Sequence, residues 1–336
     1  MATGAVDGIW YWKSNANPFS PTEPAKWSRF SDIENEIIED AFQHNEKEVL
    51  LDNHSIDFKL KLQINKSDKT RQRPILRKSD DPNQQFAPRE TRFNIVDMPV
   101  KTFTEAGGFS KFLWEWANKY NDSCCILTEQ NAPGIVERAV EGIIKEGETI
   151  SKTTESKWIA KQLSKVKNRT LADIGKCCIV YYTKESFLYH VVNDVLRREN
   201  LSKLETLGPY CFLLINALWN CRDSRRHTQR VYRGCKLERD QIEQYKSDID
   251  KVRCWSAFSS TTKRRDIATS FGAESNTLFI IDLVERPFTE SFGLDISAMS
   301  KYPHEEEVLL PAGINFVVEK VELDKKTNKY TIYLTI

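Results

Sequence analysis

Between Tyr302 and Pro311 the chain reads Tyr-Pro-His-Glu-Glu-Glu-Val-Leu-Leu-Pro. Three acids open directly onto the apolar run Val308-Leu309-Leu310, which reads as a short buried strand. Strand side chains alternate faces, so the pattern predicts Glu305 and Glu307 on one side, roughly 6–7 Å apart, with Glu306 turned away. Two carboxylates so placed can bind hydroxyls, stabilise a developing positive charge or take up a proton. The bland alternative is a solvated strand end.

Two upstream stretches give these acids partners. Val231-Tyr232-Arg233-Gly234 ends an apolar step in a guanidinium, suited to gripping phosphate, and a glycine, where backbone can come close to a ligand. Trp255 to Thr262 reads as one strand-like run closing in the hydroxyls of Ser259, Ser260, Thr261 and Thr262, followed by Ala268 and Phe271. An arginine, a serine cluster and a Glu-x-Glu, in that order, resemble the Arg–Ser–Glu signature of mono-ADP-ribosyltransferases. The detailed resemblance runs from Arg233 to the C-terminus.

The resemblance implies that ADP-ribose moves from NAD, as substrate and without a metal, to a protein acceptor. The leaving nicotinamide is already a cationic pyridinium, so its departure needs no general acid. A carboxylate bonded to a ribose hydroxyl helps instead, because that bond strengthens as the sugar becomes oxocarbenium-like. Glu307 matches this role, and Arg233 matches the residue that holds the NAD phosphates. By the same resemblance Gly234 approaches the nicotinamide amide, Ser260 orients the glutamate with Thr261 beside it, and Phe271 stacks on nicotinamide. Thr262 stands where the family has a further serine.

In the family it resembles, the first acid of Glu-x-Glu, here Glu305, accompanies transfer to arginine, and Tyr302 matches a substrate-facing aromatic of the same loop. The implied partners are therefore proteins with an accessible arginine. Two alternatives stay open: an NAD glycohydrolase on the same scaffold, and a non-catalytic reader of ADP-ribose. A serine-hydrolase triad is not supported, since the chain has no Gly-x-Ser-x-Gly and His304 has no evident serine partner.

At 336 residues the chain exceeds one typical domain and predicts two. Its net charge of +1 gives no reason to expect direct nucleic-acid binding or a charged membrane surface. With neither a signal-like start nor a membrane-length apolar run, the expectation is an intracellular protein of the cytoplasm, with the nucleus as the alternative. The eight cysteines form no Cys-x-x-Cys, so buried free thiols are expected rather than a zinc site.

Residues 1–80 form a unit of their own. Trp10, Trp12 and Trp27 are dense, Ile33, Ile37, Ile38, Ala41 and Phe42 recur at helical spacing, and Val49–Leu51 reads as a strand. Ser55–Ile64 alternates as one long strand, and Arg71–Arg77 closes the unit. This order is similar to the WWE domain, a module that binds ADP-ribose units. The similarity rests on Trp10 or Trp12, Trp27 with Phe30, Glu39-Asp40-Ala41-Phe42, Asp57-Phe58, Gln63 and the Arg-Gln-Arg-Pro-Ile-x-Arg close. It implies ligand contacts at Trp27, Gln63 and Arg73, hence ADP-ribosylated proteins or poly(ADP-ribose) as partners. His54 and Ser28 replace aromatics of the family pattern, which leaves protein contact as the alternative role.

Residues 81–97 are polar and broken by prolines, and read as a flexible linker. Residues 98–336 follow as the transferase unit. Helices are expected over Phe109–Tyr120, Ile135–Lys145, Trp158–Val166, Leu188–Arg198 and Tyr210–Cys221, with Cys177–Tyr182 as a short strand. Thr277–Leu283 and Ile314–Val321 are strands, the latter in a hairpin with Tyr330–Ile336. Arg225-Arg226-His227 and Lys263-Arg264-Arg265 read as solvated faces, with steering of the NAD pyrophosphate as the alternative. The expected class is α+β: a small half-barrel with one helix, then two packed sheets around an NAD cleft behind a helical region.

Overall fold

The computed structural model describes residues 8–79, 104–105, 110–120, 126–220, 229–270, 275–284 and 293–336. Phe271, Cys124, Cys125, Cys221, the Arg225–His227 cluster and the whole expected linker lie outside them.

The N-terminal unit is a six-stranded antiparallel sheet: β1 (Gly8–Lys13), β2 (Trp27–Arg29), β3 (Glu48–Leu50), β4 (His54–Asp57), β5 (Leu62–Asn65) and β6 (Gln72–Ser79), in the order β2-β1-β6-β5-β4-β3. Helix α1 (Asp32–Gln43) starts where Ser31 and Glu34 form a reciprocal capping box, a device typically worth about 1 kcal/mol. Ile33 and Ile38 are fully enclosed against Trp10, Ile56 and Ile75. The single strand expected over Ser55–Ile64 is in fact a hairpin. Asp57 accepts from the Leu60 amide at 2.7 Å and Lys61 takes a left-handed φ of 56°, so a side-chain-capped turn interrupts an alternating pattern that looks continuous.

Among the described residues, six helices stand ahead of most of the second sheet: α2 (Lys111–Tyr120), α3 (Ala132–Thr149), α4 (Thr153–Lys165), α5 (Leu171–Thr183), α6 (Phe187–Arg197) and α7 (Leu204–Asn220). The Cys177–Tyr182 run lies inside α5 and is not a strand. Its register explains the difference, since Ile174, Cys178, Ile179 and Tyr182 fall on one buried helical face and Thr170 caps the start through the Asp173 amide. A short apolar run without its flanks does not separate the two periods.

The second sheet has nine described strands in one hydrogen-bonded order, the first of them ahead of α2 and the other eight after α7. They are β7 (Thr104–Glu105), β8 (Gln229–Cys235), β9 (Val252–Trp255), β10 (Ser259–Thr262), β11 (Thr277–Leu283), β12 (Leu294–Asp295), β13 (Glu307–Leu310), β14 (Ile314–Asp324) and β15 (Lys329–Thr335). Helix α8 (Arg239–Ser247) and the short α9 (Arg265–Ser270) lie between them. The order β12-β13-β10-β8-β11-β15-β14-β9-β7 divides at β10–β8, where only Thr262 and Tyr232 pair. The two expected sheets are these two pieces, meeting at a seam one residue pair wide. Trp255–Thr262 is accordingly two strands, because the chain crosses from one piece to the other. Trp255 joins the core of the larger piece, while Ala257 and Phe258 pack into the helical core.

The N-terminal unit docks on the helices through three carboxylates. Asp52 accepts the Thr154 and Glu155 amides at 2.6 and 3.4 Å, where the start of α4 favours an anion. Glu36 accepts from Trp158 Nε1 at 2.9 Å and the Tyr181 hydroxyl at 3.2 Å, and pairs with the Lys184 ammonium. Asp32 accepts the Glu185 amide at 2.8 Å. One hydrophobic cluster runs from Trp10 and Phe30 through the helices to Leu309. The two units therefore share a packed, hydrogen-bonded interface, which a purely flexible tether would not produce. Among the described residues no helix is long and apolar enough to cross a membrane.

Candidate active site

Strands β10 and β13 build the centre of the site. Their register sets Ser260 opposite Leu309, Thr261 opposite Val308 and Thr262 opposite Glu307. Directly opposed residues share a face, so Ser260, Thr262 and Glu307 lie on one side and Thr261 on the other. The Thr261 hydroxyl donates to the Val308 carbonyl at 2.7 Å, and the Thr262 hydroxyl donates to the Glu305 carbonyl at 2.5 Å. Thr262 also accepts the Arg264 amide at 3.0 Å. The hydroxyl-rich end of β10 thus pins the segment carrying both acids.

That segment is not the continuous strand its alternation predicts. Residues Pro303–Glu305 form a single 3₁₀ turn, Glu306 takes a left-handed conformation with φ 45°, and β13 begins only at Glu307. Proline at the start pre-sets φ for the turn, and the Glu305 and Glu306 amides close it on the Tyr302 and Pro303 carbonyls at 3.1 Å each. Glu305 and Glu307 are nevertheless both fully buried, while Glu306 is exposed. The burial of both acids is thus produced by a turn and a left-handed residue instead of strand alternation.

Arg233 sits buried on β8, and its Nη1 donates to the Ser260 carbonyl at 2.6 Å. It lines a cavity of about 40 Å³ with Arg197, Cys235, Trp255, Ser259 and Phe279. Glu305 and Glu307 are not among the residues that line this cavity, and β10 joins the arginine to the acids. Gly234 is required for packing: a Cβ there would meet the Ala268 carbonyl oxygen at 1.9 Å. Burial pushes the Cys235 thiol up to about 11, which keeps it neutral and a poor nucleophile.

The family model for NAD:arginine ADP-ribosyltransferase matches residues 124–335, and that for the WWE domain matches residues 8–77. The chain belongs to the NAD:arginine ADP-ribosyltransferase family. It is 32% identical over 138 residues to NAD(P)(+)--arginine ADP-ribosyltransferase 2 of Gallus gallus, covering 40% of each chain. To NAD(P)(+)--arginine ADP-ribosyltransferase 1 of the same organism it is 25% identical over 186 residues, covering 53% of each. The chain thus spans about half the length of these curated relatives. Among solved structures, the type III effector XopAI of Xanthomonas axonopodis pv. citri superposes with a TM-score of 0.48 at 17% identity, over 70% of this chain and 95% of the other.

One further charged residue lies at this site, outside the motifs of the sequence. Arg197, the last residue of α6, reaches the cavity of Arg233, and its Nε is buried without a hydrogen-bond partner. Burial and the neighbouring Arg233 cation bring its guanidinium down to about 10. Two cations held together in a partly dry space favour an anion between them. The signal was a polar pair toward the buried side of an amphipathic helix: Arg197 follows buried Asn193 by one turn, and Asn193 donates to the Tyr182 hydroxyl at 2.7 Å. Two members of the nearby basic cluster are taken by acids, Lys263 by Asp295 and Arg264 by Asp266, both at 2.5 Å.

Tyr302 does not present itself to an acceptor. It is 2% exposed, and its hydroxyl meets Asp32 and Arg29 of the N-terminal unit. In the WWE domain, Gln63 and Arg73 are directly opposed on β5 and β6, and the half-buried Trp27 pairs with Lys13 on the neighbouring β1. Arg73 Nη1 donates to the carbonyls of Lys13 and Asn15 at 2.8 Å each, and its guanidinium lies 5.3 Å from the Trp12 ring. Gln63 Oε1, by contrast, is buried and without a partner. Burial lowers the His54 imidazole, which favours a neutral ring there.

Proposed function

We propose that the chain transfers ADP-ribose from NAD to arginine side chains of proteins, releasing nicotinamide. The observation that carries this reading is the pair of fully buried acids, Glu305 and Glu307, locked to the hydroxyl edge of β10. In the proposed reaction Arg233 and Arg197 hold the two NAD phosphates. Glu307 binds a ribose hydroxyl and stabilises the oxocarbenium-like sugar as its bond to nicotinamide breaks. Glu305 binds the acceptor guanidinium and takes its proton as the new carbon–nitrogen bond forms. A dinucleotide needs several hundred Å³, so the walls around the small cavity at Arg233 part when NAD enters.

For the WWE domain we propose ADP-ribose capture, on the observation that Gln63 Oε1 is a buried acceptor lacking a donor. The exocyclic amine of adenine supplies one. Arg73 is spent on backbone carbonyls, so its contribution is to shape the pocket through Trp12.

Incubation with labelled NAD and an arginine-containing acceptor tests the reading, with nicotinamide release and label transfer followed together. The expected result is label on arginine in step with nicotinamide. Nicotinamide without label indicates attack by water, and neither product indicates a non-catalytic reader.

A further inference from the structure

We infer that Asp32 and Arg29 of the WWE domain are positioning residues for the Glu305–Glu307 turn of the transferase, acting through the Tyr302 hydroxyl. This rests on the proposed role of those two acids. The Tyr302 hydroxyl accepts from Arg29 Nη1 at 2.9 Å and lies 3.1 Å from both Asp32 carboxylate oxygens, to which it can donate. Arg29 also pairs with Asp32 at 2.8 Å, and the second Asp32 oxygen takes the Glu185 amide. Asp32 is fully enclosed and Tyr302 nearly so. One buried carboxylate therefore ties together its own helix, the α5–α6 connection and the catalytic loop.

The consequence for the acids follows from chain geometry. Tyr302 immediately precedes the 3₁₀ turn, and the Glu305 amide bonds back to the Tyr302 carbonyl, so an anchored Tyr302 fixes where Glu305 begins. The Glu305 carbonyl is held from the other side by the Thr262 hydroxyl. Glu305 thus sits between two clamps, one from its own sheet and one from the WWE domain. Burial alone would raise the Asp32 carboxyl, yet the Arg29 cation and the Glu185 amide hold it below its ordinary value, consistent with a permanently ionised clamp. The WWE domain is then part of the arginine-acceptor site as well as a reader.

The test uses the full chain and two readouts. Tyr302→Phe removes only the hydroxyl, and Asp32→Asn removes the charge and one of the two acceptor oxygens. Glu36→Gln loosens the same interface at Trp158, Tyr181 and Lys184 without touching Tyr302. The expected result is faster amide hydrogen exchange at residues 304–307 in the first two variants and not in Glu36→Gln. With it comes a rise of about tenfold in KM for the arginine acceptor, with nicotinamide release in its absence changing much less. Asp32→Glu should restore part of the acceptor KM. Unchanged exchange at residues 304–307 in Tyr302→Phe overturns the inference, and so does a response shared equally by all three variants. If the wild-type protein releases nicotinamide but never labels arginine, the acceptor assignment fails, while the exchange data still decide whether the clamp exists.

Discussion

The Thr262 hydroxyl donates to the Glu305 carbonyl at 2.5 Å, while the Thr262 backbone pairs with Glu307 two residues further on. A single threonine therefore sets the relative position of both acids. Thr262→Val keeps the shape and deletes the donor, leaving a buried carbonyl short of a partner. The expected cost is about 1–3 kcal/mol of stability, and transfer to arginine should fall more than nicotinamide release. Thermal unfolding and the paired activity measurement read both quantities.

Glu307→Gln retains shape and loses charge. Because its contact strengthens only as the sugar becomes cationic, nicotinamide release should drop by roughly 10²–10³ with little change in melting temperature. Glu305→Gln should separate the reactions instead, with label transfer falling much further than nicotinamide release. Equal losses would make Glu305 a structural residue, and retained activity in a folded Glu307→Gln protein would contradict its role.

Arg197→Ala tests the cationic pair at the cavity. Losing one charged contact to phosphate should raise the KM for NAD by about tenfold or more and leave the acceptor KM alone. Calorimetry with NAD should show the same weakening, with Arg197→Lys intermediate because an ammonium keeps charge but not the planar fork.

Acid stability of the WWE domain should follow Glu39. Its burial would raise the carboxyl, but bonds from Arg77, Gln43 and Trp10 bring it from an ordinary 4.5 down to about 2. A depressed folded value means the stabilisation is fully present above about 4.5 and is lost as pH falls toward about 2. Glu39→Gln should remove that part of the pH dependence. Hydrogen exchange of β1 and β6 between pH 5 and 2.5, compared with wild type, measures it.

Much of the chemistry was legible in residue types and order. Arg233, Ser260 and Glu307 sit on three short strands whose apolar flanks announce burial, and a polar residue placed there needs a purpose. The amphipathic spacing of α1, α3 and α6 was equally plain. Local ambiguity hid other features. An Asp57-capped turn looked like continued alternation, and an apolar run inside α5 looked like a strand, because over a few residues the two periods coincide.

By itself, then, the sequence determined which faces are apolar, which residues could do chemistry and the order in which they meet the chain. Only the tertiary structure decided which buried polar groups meet each other. Arg197 arrives at Arg233 from a helix, and Asp32 reaches Tyr302 across 270 positions of chain. Periodicity encodes burial over a few residues. A hydrogen bond between distant segments depends on how whole elements dock, so no local pattern carries it.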